Sequence, residues 1–184
     1  MGILAVLAEL GSASCNVIGK TPIIGGHFAK GTVMTTIAFT PTGTGNARRA
    51  EYALLGELLD ARVRDDADLA GLAQDRINVD VIDRLSAQGL KADELAFIIP
   101  RRTLTHRRQQ HERLSTEESD RAIRLARIVA QANAAFGSNE KALVWLRGRQ
   151  KRFDGLSALG MAATEHGARL VEDALVQIDE GYFA

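Results

Sequence analysis

A single cysteine, Cys15, in 184 residues leaves no partner for an internal disulfide and rules out a thiolate metal cluster within one chain. A reducing, cytoplasmic setting is expected on that ground. Three prolines and 5% aromatic residues leave few helix breakers and few of the residues that favour strands. Long apolar runs are missing too, and none approaches the roughly 20 residues that span a bilayer. The nearest, Ile3 to Ala8, has no basic residue before it and runs into Glu9, so a secretory signal is not expected. Net charge is zero, which argues against a nonspecific nucleic-acid coat.

What the chain does hold is 46% hydrophobic and 25% charged residues, the composition of a globular protein. Abundant Ala, Leu and Arg point to an all-α fold. The charge balance hides an asymmetry. Residues 101–152 carry eleven arginines and two lysines against five acidic residues, whereas residues 164–184 carry five acidic residues against Arg169 alone. Neighbouring segments of opposite sign suggest two surfaces with different partners.

Residues 1–46 are rich in Gly, Thr and small side chains without a helical period. They are either a flexible arm with short strands around Ile23 and Thr36 to Phe39, or the result of a start placed too early, with translation beginning at Met34. From Ala47 the pattern turns helical. Leu54, Leu55, Leu58 and Leu59 build one stripe, a short helix is expected over Asp66 to Ala73, and Asn78 is read as the cap of a third that Gly89 closes. Residues 47–113 are therefore read as one helical region and 114–184 as a second.

The most informative stretch is Arg101 to Arg113, with five arginines and two histidines against one glutamate. It abuts Ser115 and Glu118, the S-x-x-E pattern that satisfies orphan N–H groups at a helix start. A short helix over Leu90 to Ile99, a break at Pro100 and a second over Arg102 to Gln110 would suit a helix-turn-helix unit. Its second helix would offer Arg101, Arg102, Thr103, Thr105, Arg107 and Arg108 to base edges and phosphates. A solvated basic loop would give the same composition. Beyond it, Leu125, Ile128, Val129, Ala132 and Phe136 mark a long helix ended by Gly137, Ser138 caps the next, and Thr164 to Glu180 form the last. Trp145 is most simply a core anchor, with a partner-facing hot spot as the competing reading.

No catalytic constellation is visible. His27, His106, His111 and His166 are scattered, and Thr42-Gly-Thr-Gly45 lacks the strand and the third glycine that a phosphate cradle needs. A binding protein without cofactor or metal is expected.

Six patterns occur in order: Gly89-Leu-x-x-x-Glu-Leu95, Pro100-Arg-Arg-Thr-Leu104, Leu114-Ser-Thr-Glu-Glu-Ser-Asp-Arg121, an Ala-rich run closing at Gly137, Lys141-Ala-Leu-Val-Trp-Leu146, and Thr164-Glu-x-Gly-Ala168 with Val171-Glu172. Over residues 78–184 this order resembles the Xre/MbcA/ParS antitoxin family. The resemblance implies a non-enzymatic, cytoplasmic protein with an Xre-like helix-turn-helix half and a half that binds a RES-domain toxin, one that consumes NAD or ADP-ribosylates a protein. It also implies an operator-DNA partner and a homodimer. A site that holds pyrophosphate is cationic, so Asp179, Glu180 and the terminal carboxylate of Ala184 are expected to meet it, with Tyr182 and Phe183 filling apolar space; Trp145 and Glu172 complete the expected toxin contacts. The loop after Leu146 departs from the family in lacking proline and being more basic. The competing class is a freestanding helix-turn-helix transcriptional regulator whose C-terminal half dimerises.

Overall fold

The computed structural model describes residues 44–181. The expectations for residues 1–43, Met34 and the N-terminal strands among them, lie outside the described residues, as do Tyr182, Phe183 and Ala184. The described residues are helical throughout: α1 Thr44–Leu59, α2 Asp66–Asp75, α3 Val81–Ala87, α4 Arg101–Gln109, α5 Thr116–Phe136, α6 Asn139–Arg147, α7 Ala158–Met161 and α8 Glu165–Asp179. An isolated antiparallel bridge between Arg149 and Ser157 closes the loop after α6 around a 3-10 turn at Lys151–Phe153.

The long helix forms where local chemistry at both ends agrees. The Ser115 hydroxyl accepts from the Glu118 N–H at 3.2 Å, and Ser115 N–H donates to Glu118 Oε2 at 2.7 Å. Gly137 ends the helix at φ 66°, in the left-handed region that glycine enters without penalty. Between those ends α5 buries residues on more than one face, including Ile123, Leu125, Ile128 and Val129, because α1, α2, α6 and α8 all pack on it. Leu55 and Leu58 of α1 meet the same core, each burial contributing about 2 kcal/mol.

Ser119 is the buried polar side chain of this core among the described residues. Its hydroxyl accepts from the Ile77 N–H at 3.1 Å, and the Leu114 N–H donates to Ile77 O at 3.0 Å. The extended segment before α3 is thereby pinned to the start of α5, with its backbone groups satisfied.

Two local expectations are corrected. Asn78 does not cap α3; its Oδ1 accepts from the Asp80 N–H at 3.1 Å, an Asx turn that precedes the helix. Leu90 to Ile99 is a run of turns rather than a helix, although its Leu90, Leu95, Ile98 and Ile99 are buried. Gly89 at φ 94° and Pro100 leave only ten residues between them, and Pro100 disfavours helical backbone at Ile99. The segment instead spans the gap between α3 and α4.

In α8 the Thr164-Glu-x-Gly-Ala168 pattern has a geometric meaning. The Thr164 hydroxyl accepts from the Gly167 N–H at 3.1 Å. A Cβ on Gly167 would stand 2.1 Å from the Met161 carbonyl oxygen, so only glycine lets α8 start hard against the end of α7. Ala168, 1% exposed, then enters the core.

Candidate functional site

Helix α4 begins directly after Pro100, whose extended backbone suits a helix start, and it carries no acidic residue. Its nine residues divide into two faces. Thr103, Leu104 and Arg107 are half-buried against the protein, while Arg101, Arg102, Thr105, His106, Arg108 and Gln109 are exposed. The six residues expected to read DNA are thus not equivalent.

Arg107 points inward. Its Nη2 pairs with Glu118 Oε2 at 3.0 Å, and Nη1 reaches Glu112 Oε2 at 3.3 Å and Arg113 O at 3.0 Å. Since Glu118 also completes the cap of α5, Arg107 ties α4 to the start of the long helix. Arg108 pairs with Asp83 of α3 at 2.5 Å, from an exposed position. Arg101 and Arg102 make no ion pair among the described residues. Thr105 donates its hydroxyl to Arg101 O at 3.0 Å. Arg102, Thr105, His106 and Gln109 stand at i, i+3, i+4 and i+7 on the outer face. His106 and Gln109 were not among the expected contacts, although helical spacing from Arg102 points to both.

The loop between α4 and α5 is held by backbone acceptors. Arg113 Nη1 donates to Asp75 O and Arg76 O at 3.2 and 3.0 Å, and Arg76 Nε donates to Leu114 O at 2.8 Å. These arginines therefore serve as braces, and the basic count of residues 101–113 overstates the charge open to a partner.

In the C-terminal half the acidic residues also divide. Glu172 accepts from Arg127 of α5 at 2.6 Å and is mostly buried, and Glu165 pairs with Arg124 at 3.1 Å. The Arg169 guanidinium, then Arg124, holds the Glu165 carboxyl below its usual range. Burial pushes the Glu51 carboxyl of α1 up, with Arg48 and Arg127 opposing it. Asp179 and Glu180, by contrast, are exposed and make no ion pair among the described residues.

Trp145 is half-buried, its ring 5.6 Å from Phe136 and in edge contact with Phe153 at 6.4 Å. It anchors the core and also lines an open groove of about 820 Å³ between the loop after α6 and helix α8. Its packed side anchors the core, and the rest of its surface is open to the groove. No group of three or more metal-ligating side chains occurs among the described residues, and none of their helices is long and apolar enough to cross a membrane.

Residues 65–127 match the family described as Antitoxin Xre-like helix-turn-helix domain, and residues 131–181 match Antitoxin Xre/MbcA/ParS C-terminal toxin-binding domain. The chain is 37% identical over 150 residues to Antitoxin Xre of Pseudomonas putida, covering 72% of this chain and 94% of that protein. It is also 37% identical over 111 residues to Antitoxin Xre of Yersinia enterocolitica, covering 58% of this chain and 75% of that one. Helix α5 runs through both matched regions.

Proposed function

Because this chain belongs to the Xre antitoxin family, with a helix-turn-helix domain followed by a toxin-binding domain, we propose that it neutralises a RES-domain toxin by occluding that toxin's NAD-binding cleft. The observation that carries this is the free acidic end of α8. Asp179 and Glu180 are unpaired among the described residues while the other acidic positions of that helix near α5 are engaged. A cleft that holds pyrophosphate is cationic, and exposed carboxylates are its natural complement. Tyr182 and Phe183 would follow them into the apolar part of the cleft, with Ala184 at its mouth. Glu172 holds α8 to α5 in this scheme and contacts the toxin indirectly.

Co-expression of the full chain with the adjoining reading frame tests the proposal, scoring growth, cellular NAD and co-purification. Rescue with a stable complex is expected, and deletion of residues 181–184 should release toxin activity while the helices stay folded. Unchanged inhibition by the folded truncation would remove the tail from the mechanism. A harmless neighbour that does not bind would favour the freestanding regulator instead.

The exposed face of α4 supports a second role, repression of its own operon by a homodimer. Arg101, Arg102 and Thr105 face outward with His106 and Gln109, a donor set suited to phosphates and to guanine and adenine edges. Arg108 could join them only by leaving Asp83, whereas Thr103 and Arg107 act from the protein side. A mobility shift on the chain's own promoter that survives alteration of both Arg101 and Arg102 would exclude this face.

A further inference from the structure

Helix α8 buries one apolar stripe in the core and leaves Leu170 and part of Ile178 open beside it. Ala168, Val171 and Leu175 are buried in the core. Leu170 and Ile178, about two turns apart, line the open groove with the polar Asp173 and Gln177 and the edge of the buried Ala174, and Leu170 is 52% exposed. The opposite wall is aromatic, formed by Trp145 and Phe153. Its rim is basic. Lys151 and Arg152 are exposed and make no ion pair among the described residues, whereas Arg121, Arg124 and Arg127 of α5 and Arg147 of α6 are all paired.

We infer that this groove seats a short amphipathic segment of the toxin partner, apolar where it meets Trp145 and Leu170 and carrying carboxylates toward Lys151 and Arg152. The inference rests on the antitoxin reading above and gives that reading a docking contact separate from the chain end. Leu170 to Ile178 spans about 12 Å at 1.5 Å per residue, about two turns of helix, the length over which a docked helix presents two or three anchors. Tryptophan is enriched at the energetic centre of interfaces, and two unpaired cations against one carboxylate on the rim favour a carboxylate-bearing segment over a cationic one. The groove lies wholly within the region that matches the toxin-binding family. Ile178 lies three residues before Gly181, so a segment seated here would also fix where the chain end emerges onto the toxin.

The test is calorimetric titration of the full chain against the purified product of the adjoining reading frame. Leu170→Asp and the double change Lys151→Glu with Arg152→Glu alter exposed positions, and circular dichroism verifies that both stay folded. Each should weaken binding at least about thirty-fold, the loss typical of a central anchor. Val144→Asp, at an exposed position of α6 outside the groove lining, should stay within about threefold of wild type, as a substitution outside an interface centre does. Wild-type affinity in both groove variants overturns the groove and leaves the antitoxin reading standing, while no binding by the wild-type chain overturns both. Equal loss in Val144→Asp overturns the groove's special part. Light scattering that shows a groove variant losing self-association but keeping toxin affinity assigns the groove to a second copy and likewise overturns the inference.

Discussion

Arg147 grips Glu94 with two donors, Nε to Oε1 at 2.6 Å and Nη2 to Oε2 at 2.8 Å, and Nη2 also donates to Gly89 O at 2.8 Å. The pair joins the turns that lead into α4 to the last turn of α6, 53 residues further on. Arg147 holds the Glu94 carboxyl below its usual range, with help from the Lys91 N–H. A lowered folded pKa means that the stabilisation is fully present above the unfolded value, near 4.5, and disappears as pH falls through the depressed folded value. Glu94→Gln should therefore lower stability by about 1–2 kcal/mol at pH 7, more than an open surface pair contributes. Thermal denaturation of both proteins at pH 7 and pH 3 checks this, and a deficit that persists at low pH would mean that the charge of the pair plays no part.

Gly167 and Gly137 should respond differently to alanine. At Gly167 the new Cβ would press on the Met161 carbonyl at 2.1 Å, and separating α7 from α8 should cost about 3 kcal/mol. At Gly137 there is open space, and the cost is that of a side chain at φ 66°, about 1 kcal/mol. Urea unfolding ranks the two, and the reverse order would contradict the contact at Met161.

Ser119→Ala removes the acceptor of the Ile77 N–H in a site with no route to solvent. A buried orphan donor costs about 1–3 kcal/mol. The Ile77 amide should also exchange with deuterium sooner than its neighbours in the variant, and an unchanged rate would show that another acceptor takes over.

Arg102 and Arg107 separate binding from bracing. Arg102→Ala should weaken promoter binding and reduce the salt slope by about one while the melting temperature stays put. Arg107→Ala should lower the melting temperature, because Glu118 loses its partner at the start of α5. Salt-dependent binding curves and thermal melts on the same two proteins distinguish these outcomes. A fully stable Arg107→Ala would remove its role as a brace.

Features governed by neighbours in sequence were legible before folding was considered. The Ser115 to Glu118 box, the Ser138 cap, the Gly137 stop and the period of α5 all depend on residues within about four positions of one another. Asn78 misled because its side chain found an N–H two residues on, short of the helix. Arg107 and Glu172 misled for the opposite reason, since the partners that turn them inward, Glu118 and Arg127, come from other helices. Leu90 to Ile99 has the apolar content of a helix but serves as a span between two fixed points. The groove beside α8 had only a faint trace in the sequence, Leu170 and Ile178 two turns apart, and it takes the packed fold to show that the described chain leaves Leu170 open beside Trp145.

Because α5 belongs to both matched regions, the border between them falls inside a rigid rod whose residues Ile128, Val129 and Ala130 are buried. Exchange of halves between relatives would have to cut through that rod and would leave a hybrid spine, with each parent's side chains facing the other parent's neighbours. On the reading proposed above, the toxin-facing and promoter-facing surfaces share one spine, so change at the two outer faces disturbs the core less than an exchange of halves would.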